Sequence, residues 1–244
     1  MSMKKIFNYS PNFDPGKRKI NQIKYLIFHY TGMQNERAAI NRLTNLRSKV
    51  SSHYMIKNNG DIIIMVPDLY ISWHAGKSRW KNLNSLNKYS IGIEISNPGH
   101  RFNYKKFSNV QIKSILKLCK FLIKKYKIKP QNILGHSDIA PDRKIDPGEK
   151  FPWQFLAKKK VGLWHTMSKK KLENYRKKKI GLNDKKKFYK NLFNIGYLNK
   201  KMNSNKLINF VIKAFQRRFR QELINGKLDK ECLIISENIV KKFY

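Results

Sequence analysis

Residues 25–32 read YLIFHYTG, an apolar and aromatic run broken by one histidine and closed by Thr-Gly. A continuous apolar run this short, rich in aromatics and ended by glycine, predicts a buried strand rather than a helix. The residues around it predict what the strand pairs with. Ala38, Ala39, Leu43 and Leu46 recur at helical spacing within residues 35–46, which makes an amphipathic helix. The segment SSHYMIKNNGDIIIMVPD, residues 51–68, reads as two strands about Asn58-Asn59-Gly60, a strong hairpin signal. SIGIEIS, residues 90–96, is a further strand, bounded by Asn-Pro-Gly. Ser108 is placed to cap a helix of about 18 residues whose stripe is Ile112, Ile115, Leu116, Cys119, Leu122 and Ile123. NILGH, residues 132–136, is a short strand with His136 at its end, feeding a proline-punctuated loop to residue 153. Strands and helices intermix, so the fold class is α/β, with a central mixed sheet flanked by helices.

The chain has 244 residues, 53 Lys and Arg against 15 Asp and Glu, and a formal net charge of +38. Such a field favours polyanionic partners: nucleic acid, anionic membrane surfaces or acidic wall polymers. The flood of Lys, Asn and Ile is also what biased codon usage would leave on a solvated surface. No basic motif is interleaved with aromatics, so nothing specific to nucleic acid is indicated. No run nears the roughly 18 apolar residues of a membrane span. MSMKKIFNYSPNFDPGKRKI, at the N-terminus, lacks the apolar core of a signal peptide, so the expected location is cytoplasmic, with a periplasmic or wall-associated site as the alternative. Cys119 falls in a helical apolar stripe and reads as a buried thiol rather than half of a disulfide with Cys232.

All six histidines precede residue 166, so imidazole chemistry belongs to the first part of the chain. His29 lies in a strand, His136 ends another, and Asp146 sits on the loop that follows. Two imidazoles and a carboxylate are the ligand set of a catalytic zinc with one open position. Taken singly, a strand histidine is also an ordinary hydrogen-bonded core residue, and Asp-Pro-Gly an ordinary turn. Glu94 adds weight. Alternation in IGIEIS sets it on the face opposite Ile91, Ile93 and Ile95, beside Gly92, where a carboxylate needs a cavity or a partner. Lys144 projects from the same loop as Asp146. A water activated by metal, a carboxylate base and a cation beside a developing oxyanion together describe a hydrolase of amides or esters.

The fragments LIFHYTG, SSHYMIKNNGDI, SWHAGKSRW, SIGIEISN and LGHSDIAPDRKIDPG occur in that order. They resemble the zinc-dependent N-acetylmuramoyl-L-alanine amidases of the second amidase family, relatives of phage T7-type lysozyme and of peptidoglycan recognition proteins. The resemblance covers roughly residues 20 to 157. It implies a zinc held by His29, His136 and Asp146, with Glu94 as catalytic acid and base and Lys144 stabilising the oxyanion. It also implies a groove lined by Trp73, His74 and Ala75, and peptidoglycan or muropeptides as the partner. Ser52, not tyrosine, precedes His53, and Glu94 is present, which sets the chain with the bacterial branch that uses glutamate. The intact ligand set favours catalysis over the alternative of a recognition protein that binds without cutting. His53 is expected in the core, His100 and His165 on the surface, and Asp138 and Asp142 as loop-shaping residues.

Beyond residue 157 the composition shifts. Residues 158–187 are lysine-rich and read as a basic linker or arm; residues 188–244 recover helical periodicity and read as a small three-helix module. KAFQRRFR followed by NGKLDKEC resembles the peptidoglycan-binding module that follows some bacterial amidases. On this two-domain reading, with residues 1–157 as the catalytic unit, removal of the tail is expected to leave catalysis on small fragments nearly intact.

Overall fold

The computed structural model describes residues 4–198 and 205–244. The first strands are β1 (Lys5–Phe7), β2 (Phe13–Asp14) and β3 (Tyr25–Tyr30), followed by helix α1 (Glu36–Thr44). The hairpin strands β4 (Tyr54–Ile56) and β5 (Ile62–Ile64) come next, then the short strands β6 (Ile71–Ser72), β7 (Arg79–Trp80) and β8 (Leu83–Asn84). Strand β9 (Ser90–Ile95), helix α2 (Asn109–Tyr126), strand β10 (Ile133–Gly135) and the one-turn helix α3 (His136–Ile139) complete the part that holds the histidines. Helices α4 (Trp153–Lys158), α5 (Lys169–Tyr175), α6 (Leu182–Ile195), α7 (Asn205–Phe219) and α8 (Lys230–Phe243) follow.

Six strands form one mixed sheet in the order β1-β5-β4-β9-β3-β10. Only the β4–β5 hairpin is antiparallel; the other neighbours run parallel. The hairpin turns at Gly60, which has φ +85° and no room for a side chain, since a Cβ there would come 2.5 Å from Val110. Apart from His29, β3 is apolar or aromatic because it is interior and covered on both faces. Leu26 and Phe28 share one face with Ile91, Ile93 and Ile95, and α2 covers it with Ile115, Leu118, Cys119 and Leu122. Ser108 and Gln111 exchange side-chain-to-backbone hydrogen bonds at the start of α2, as the capping signal requires. Cys119 and Cys232 are free and buried.

The other face of β3 packs against the C-terminal part of the chain. Tyr25, Ile27 and Leu134 lie in one apolar cluster with Leu163, Leu172, Phe188, Leu192, Phe215, Phe219 and Leu233. The residues read as an exposed basic arm thus include α5, anchored in the core through Leu172, while their lysines remain outside. Asp138, expected to shape a loop, instead joins the two parts. Its carboxylate pairs with Arg218 at 2.7 Å and accepts from Tyr197 Oη at 2.5 Å. Arg218 also donates to the carbonyl of Ile133, and Gln221 to that of Phe151. The C-terminal helices are the second covering layer of the sheet.

Candidate metal centre and catalytic cavity

The site forms at the carboxyl ends of the parallel strands β3, β9 and β10, the usual place for ligands in open α/β sheets. Register brings the parts together. His29 lies opposite Glu94, and Gly135 opposite Phe28, so His136 emerges level with His29. His136 opens α3 rather than ending its strand, which turns its ring back toward β3. Asp146 is held by its own backbone: its carbonyl accepts from Ser137 N at 2.8 Å, and the next carbonyl, of Pro147, accepts from Tyr104 Oη at 2.6 Å.

Three atoms converge. His29 Nδ1 and His136 Nδ1 are 2.9 Å apart, and Asp146 Oδ2 lies 3.1 and 3.0 Å from them. All three residues are buried. Burial, with the neighbouring His136, pushes His29 down to about 4. Burial works to raise Asp146, but the two imidazoles set against its Oδ2, His136 above all, outweigh it and leave the carboxyl well below its usual range. Two imidazoles and a carboxylate facing one centre are a group able to hold a divalent cation.

The triad opens into a cavity of about 690 Å³, also lined by Glu94, Lys144, His74 and the Ala38, Ala39 and Arg42 face of α1. Glu94 reaches it with an inaccessible Oε2 that has no hydrogen-bond partner. Burial first, then the charge of Asp146, raises this carboxyl to about 8, against the pull of Lys144. The Lys144 ammonium lines the same cavity, and no ion pair or hydrogen bond engages it among the described residues. Glu94 and Lys144 therefore share one chamber with the triad.

The three groove residues fare differently. Trp73 is not part of the cavity wall; its indole donates to Asp14 Oδ1 at 2.8 Å. Ala75 is buried, and its carbonyl accepts from His136 Nε2 at 3.1 Å. His74 touches the cavity but is buried behind His29, with its Nδ1 3.0 Å from His29 Nε2. Gly92 serves this ring rather than Glu94: a Cβ there would come 2.4 Å from His74 Cγ. His53 is in the core as expected, its Nδ1 accepting from Gly92 N and Ser72 Oγ. His165 is buried rather than on the surface, and burial lowers it to about 4. His100 is exposed beside Glu149. Sequence reading missed Arg42 and Arg101, two exposed guanidiniums on the cavity wall. The only signal for Arg42 was its place one turn after Ala38 and Ala39, small residues on the helix face that borders the chamber.

A family model described as N-acetylmuramoyl-L-alanine amidase matches residues 19–149. The chain belongs to this amidase family. The amidase is 35% identical over 234 residues to N-acetylmuramoyl-L-alanine amidase AmiD of Escherichia coli (strain K12), covering 91% of this chain and 84% of that protein. A solved AmiD from E. coli, in complex with the substrate anhydro-N-acetylmuramic acid-L-Ala-D-gamma-Glu-L-Lys, superposes with a TM-score of 0.80 at 34% identity, over 94% of this chain and 93% of that one. AmpDh3 from Pseudomonas aeruginosa, in complex with anhydromuramic pentapeptide, superposes at 0.78 with 28% identity over 94% of each chain. The match to AmiD extends through the C-terminal helices of the amidase as well as its sheet.

Proposed function

We propose that this amidase cuts the amide joining the lactyl group of N-acetylmuramic or anhydromuramic acid to L-alanine, using a zinc ion held by His29, His136 and Asp146. The observation that carries the reading is the triangle of lone-pair donors 2.9 to 3.1 Å apart with an unpartnered carboxylate oxygen in the same chamber. Tetrahedral zinc with bonds of about 2.0–2.2 Å keeps its ligands about 3.3 Å from one another, so these side chains fit it with shifts of a few tenths of an ångström. Bound there, zinc would supply a Lewis acid and lower the pKa of a coordinated water. The chain supplies the rest. Glu94 takes a proton from the attacking water and returns it to the alanine nitrogen as the bond breaks. Lys144 places a positive charge beside the carbonyl oxygen as it gains negative charge. The carboxylates of a stem peptide carry charge that suits Arg42 and Arg101 on the wall.

Purified protein should contain one zinc per chain and should split soluble anhydromuropeptide into anhydro-N-acetylmuramic acid and free stem peptide, read by mass of the products. Removing the metal by chelation should stop release, and added zinc should restore it. His136→Ala should purify without stoichiometric zinc. Stoichiometric zinc in that variant would take His136 out of the ligand set. A different cut, or release that persists in metal-free protein, would end the reading.

The same function accounts for the charge. Exposed lysines attract an anionic wall polymer over the roughly 8–10 Å that salt leaves unscreened. Binding to purified wall, measured by sedimentation, should weaken steadily as salt is added. Salt-independent binding would show that the charge takes no part.

A further inference from the structure

His74 stands at the centre of a chain of hydrogen bonds whose direction can be read from its far end. The Leu86 carbonyl can only accept, so the Ser90 hydroxyl, 2.6 Å away, spends its proton there. Ser90 Oγ must then accept from His74 Nε2, at 3.1 Å. With Nε2 donating to Ser90, the neutral ring carries its lone pair on Nδ1. That lone pair faces His29 Nε2 at 3.0 Å, which is therefore the protonated nitrogen of His29. The lone pair of His29 is left on Nδ1, the atom that points at His136 and Asp146. His136 reaches the same tautomer more simply, by donating from Nε2 to the Ala75 carbonyl. Two features hold His74 in place. Its own N–H and that of Ala75 donate to Asn87 Oδ1, at 3.2 and 2.7 Å, and Gly92 leaves the space the ring occupies.

We propose that His74 is a positioning residue: with Ser90 it locks His29 into the tautomer and ring orientation that present Nδ1 to the metal. The proposal rests on the metal-site reading above. Outer partners of metal-bound imidazoles act in this way, and their loss costs about 10–100-fold in metal affinity. Here the device is a relay of two side chains ending on a backbone carbonyl, in place of a carboxylate. A carboxylate in that position would add negative charge beside Asp146 in a dry interior, which neutral His74 avoids.

The test compares wild type with His74→Asn, His74→Leu and Ser90→Ala, each stripped of metal and titrated with zinc against a chromophoric chelator. Asparagine can place its Oδ1 where His74 Nδ1 stands, so it should keep affinity within a few-fold. Leucine should lose about 10–100-fold, and Ser90→Ala, which removes only the anchor of the relay, should fall between. The visible spectrum of the cobalt-loaded proteins should match wild type for asparagine and change in shape for leucine. Thermal unfolding of the metal-free forms reports folding separately, and Ser90→Ala, the smallest change, keeps the test valid where leucine disturbs the core. Wild-type affinity in both His74→Leu and Ser90→Ala, or asparagine failing as badly as leucine, would overturn the proposal. Absence of metal binding in wild type would instead remove the reading it rests on.

Discussion

Replacing Glu94 by glutamine is expected to lower kcat by about 10²–10⁴-fold, the usual loss when a positioned acid or base is removed, while zinc content stays at one per chain. Glutamine keeps the shape but cannot exchange a proton, and Glu94 is not among the three converging ligand atoms. The two readouts must separate: turnover falls and metal stays. Near-normal turnover would hand the proton transfer to another group. The pH dependence has a definite sign. Burial raises the Glu94 carboxyl to about 8 in the metal-free chain, and a bound cation would draw it down from there. The base works only when ionised, so kcat/KM should fall as pH drops through this pKa, and Glu94→Gln should lack that limb.

The same residue makes a stability prediction that does not involve catalysis. An acid whose pKa is raised on folding binds its proton more tightly in the folded state, so stability declines as pH climbs from the ordinary carboxyl value near 4.5 toward about 8. Glutamine has no charge to bury. Metal-free Glu94→Gln should therefore melt higher than metal-free wild type at pH 8 and at the same temperature near pH 4. Equal melting at both would mean the Glu94 charge is well solvated. An active site that costs stability in this way is the ordinary trade between function and folding.

Residues that are odd for their local environment were the legible ones. A histidine inside YLIFHY and a glutamate inside IGIEIS each break the chemistry of a buried strand, and register sets them side by side. The loop carrying Lys144 and Asp146 announced itself through its prolines and glycine. His74 was seen as a groove residue, but its bond to His29 was not legible, because spacing along SWHAG says nothing about which side of His29 the ring approaches. Ser90 was invisible: a serine at the start of a strand has no signature, and its role arises only from the turn that brings Leu86 beneath it. The packing of the tail was hidden by its lysines, whose charge density reads as solvated even though Leu172 and Phe188 are fixed in the core. One sign was available. A strand apolar on both faces needs a layer on each; α2 covers one, and α1 packs on Met55 and Ile63, so the other face of β3 falls to the later helices.

That packing reverses the expected outcome of truncation. A chain ending at Ala157 should be insoluble or loosely folded rather than a compact catalytic domain. The cut strips the cover from Tyr25, Ile27, Leu134 and Ile139, all buried against the lost helices. Full burial of such a side chain stabilises by about 1.5–3 kcal/mol, and the exposed patch would favour association. The cut also removes Arg218 and Tyr197 from Asp138, leaving that carboxylate with the Gly135 N–H as its remaining bond. Removing one partner of a buried ion pair costs about 3–5 kcal/mol, a large share of the 5–15 kcal/mol that holds a domain folded. The damage falls next to the proposed metal site, because Asp138 lies in α3, the one-turn helix that begins with His136. Arg218→Met in the full-length chain isolates this link: it should lower the melting temperature and weaken zinc retention while every ligand and catalytic side chain remains. Solubility, near-ultraviolet circular dichroism and zinc content of the truncated chain decide the matter. A folded, zinc-loaded truncation with full activity on soluble muropeptide would restore the tail to an accessory. Loss of fold and metal together would make the basic helices part of the catalytic unit, so their contribution to wall binding must be measured on surface lysine variants.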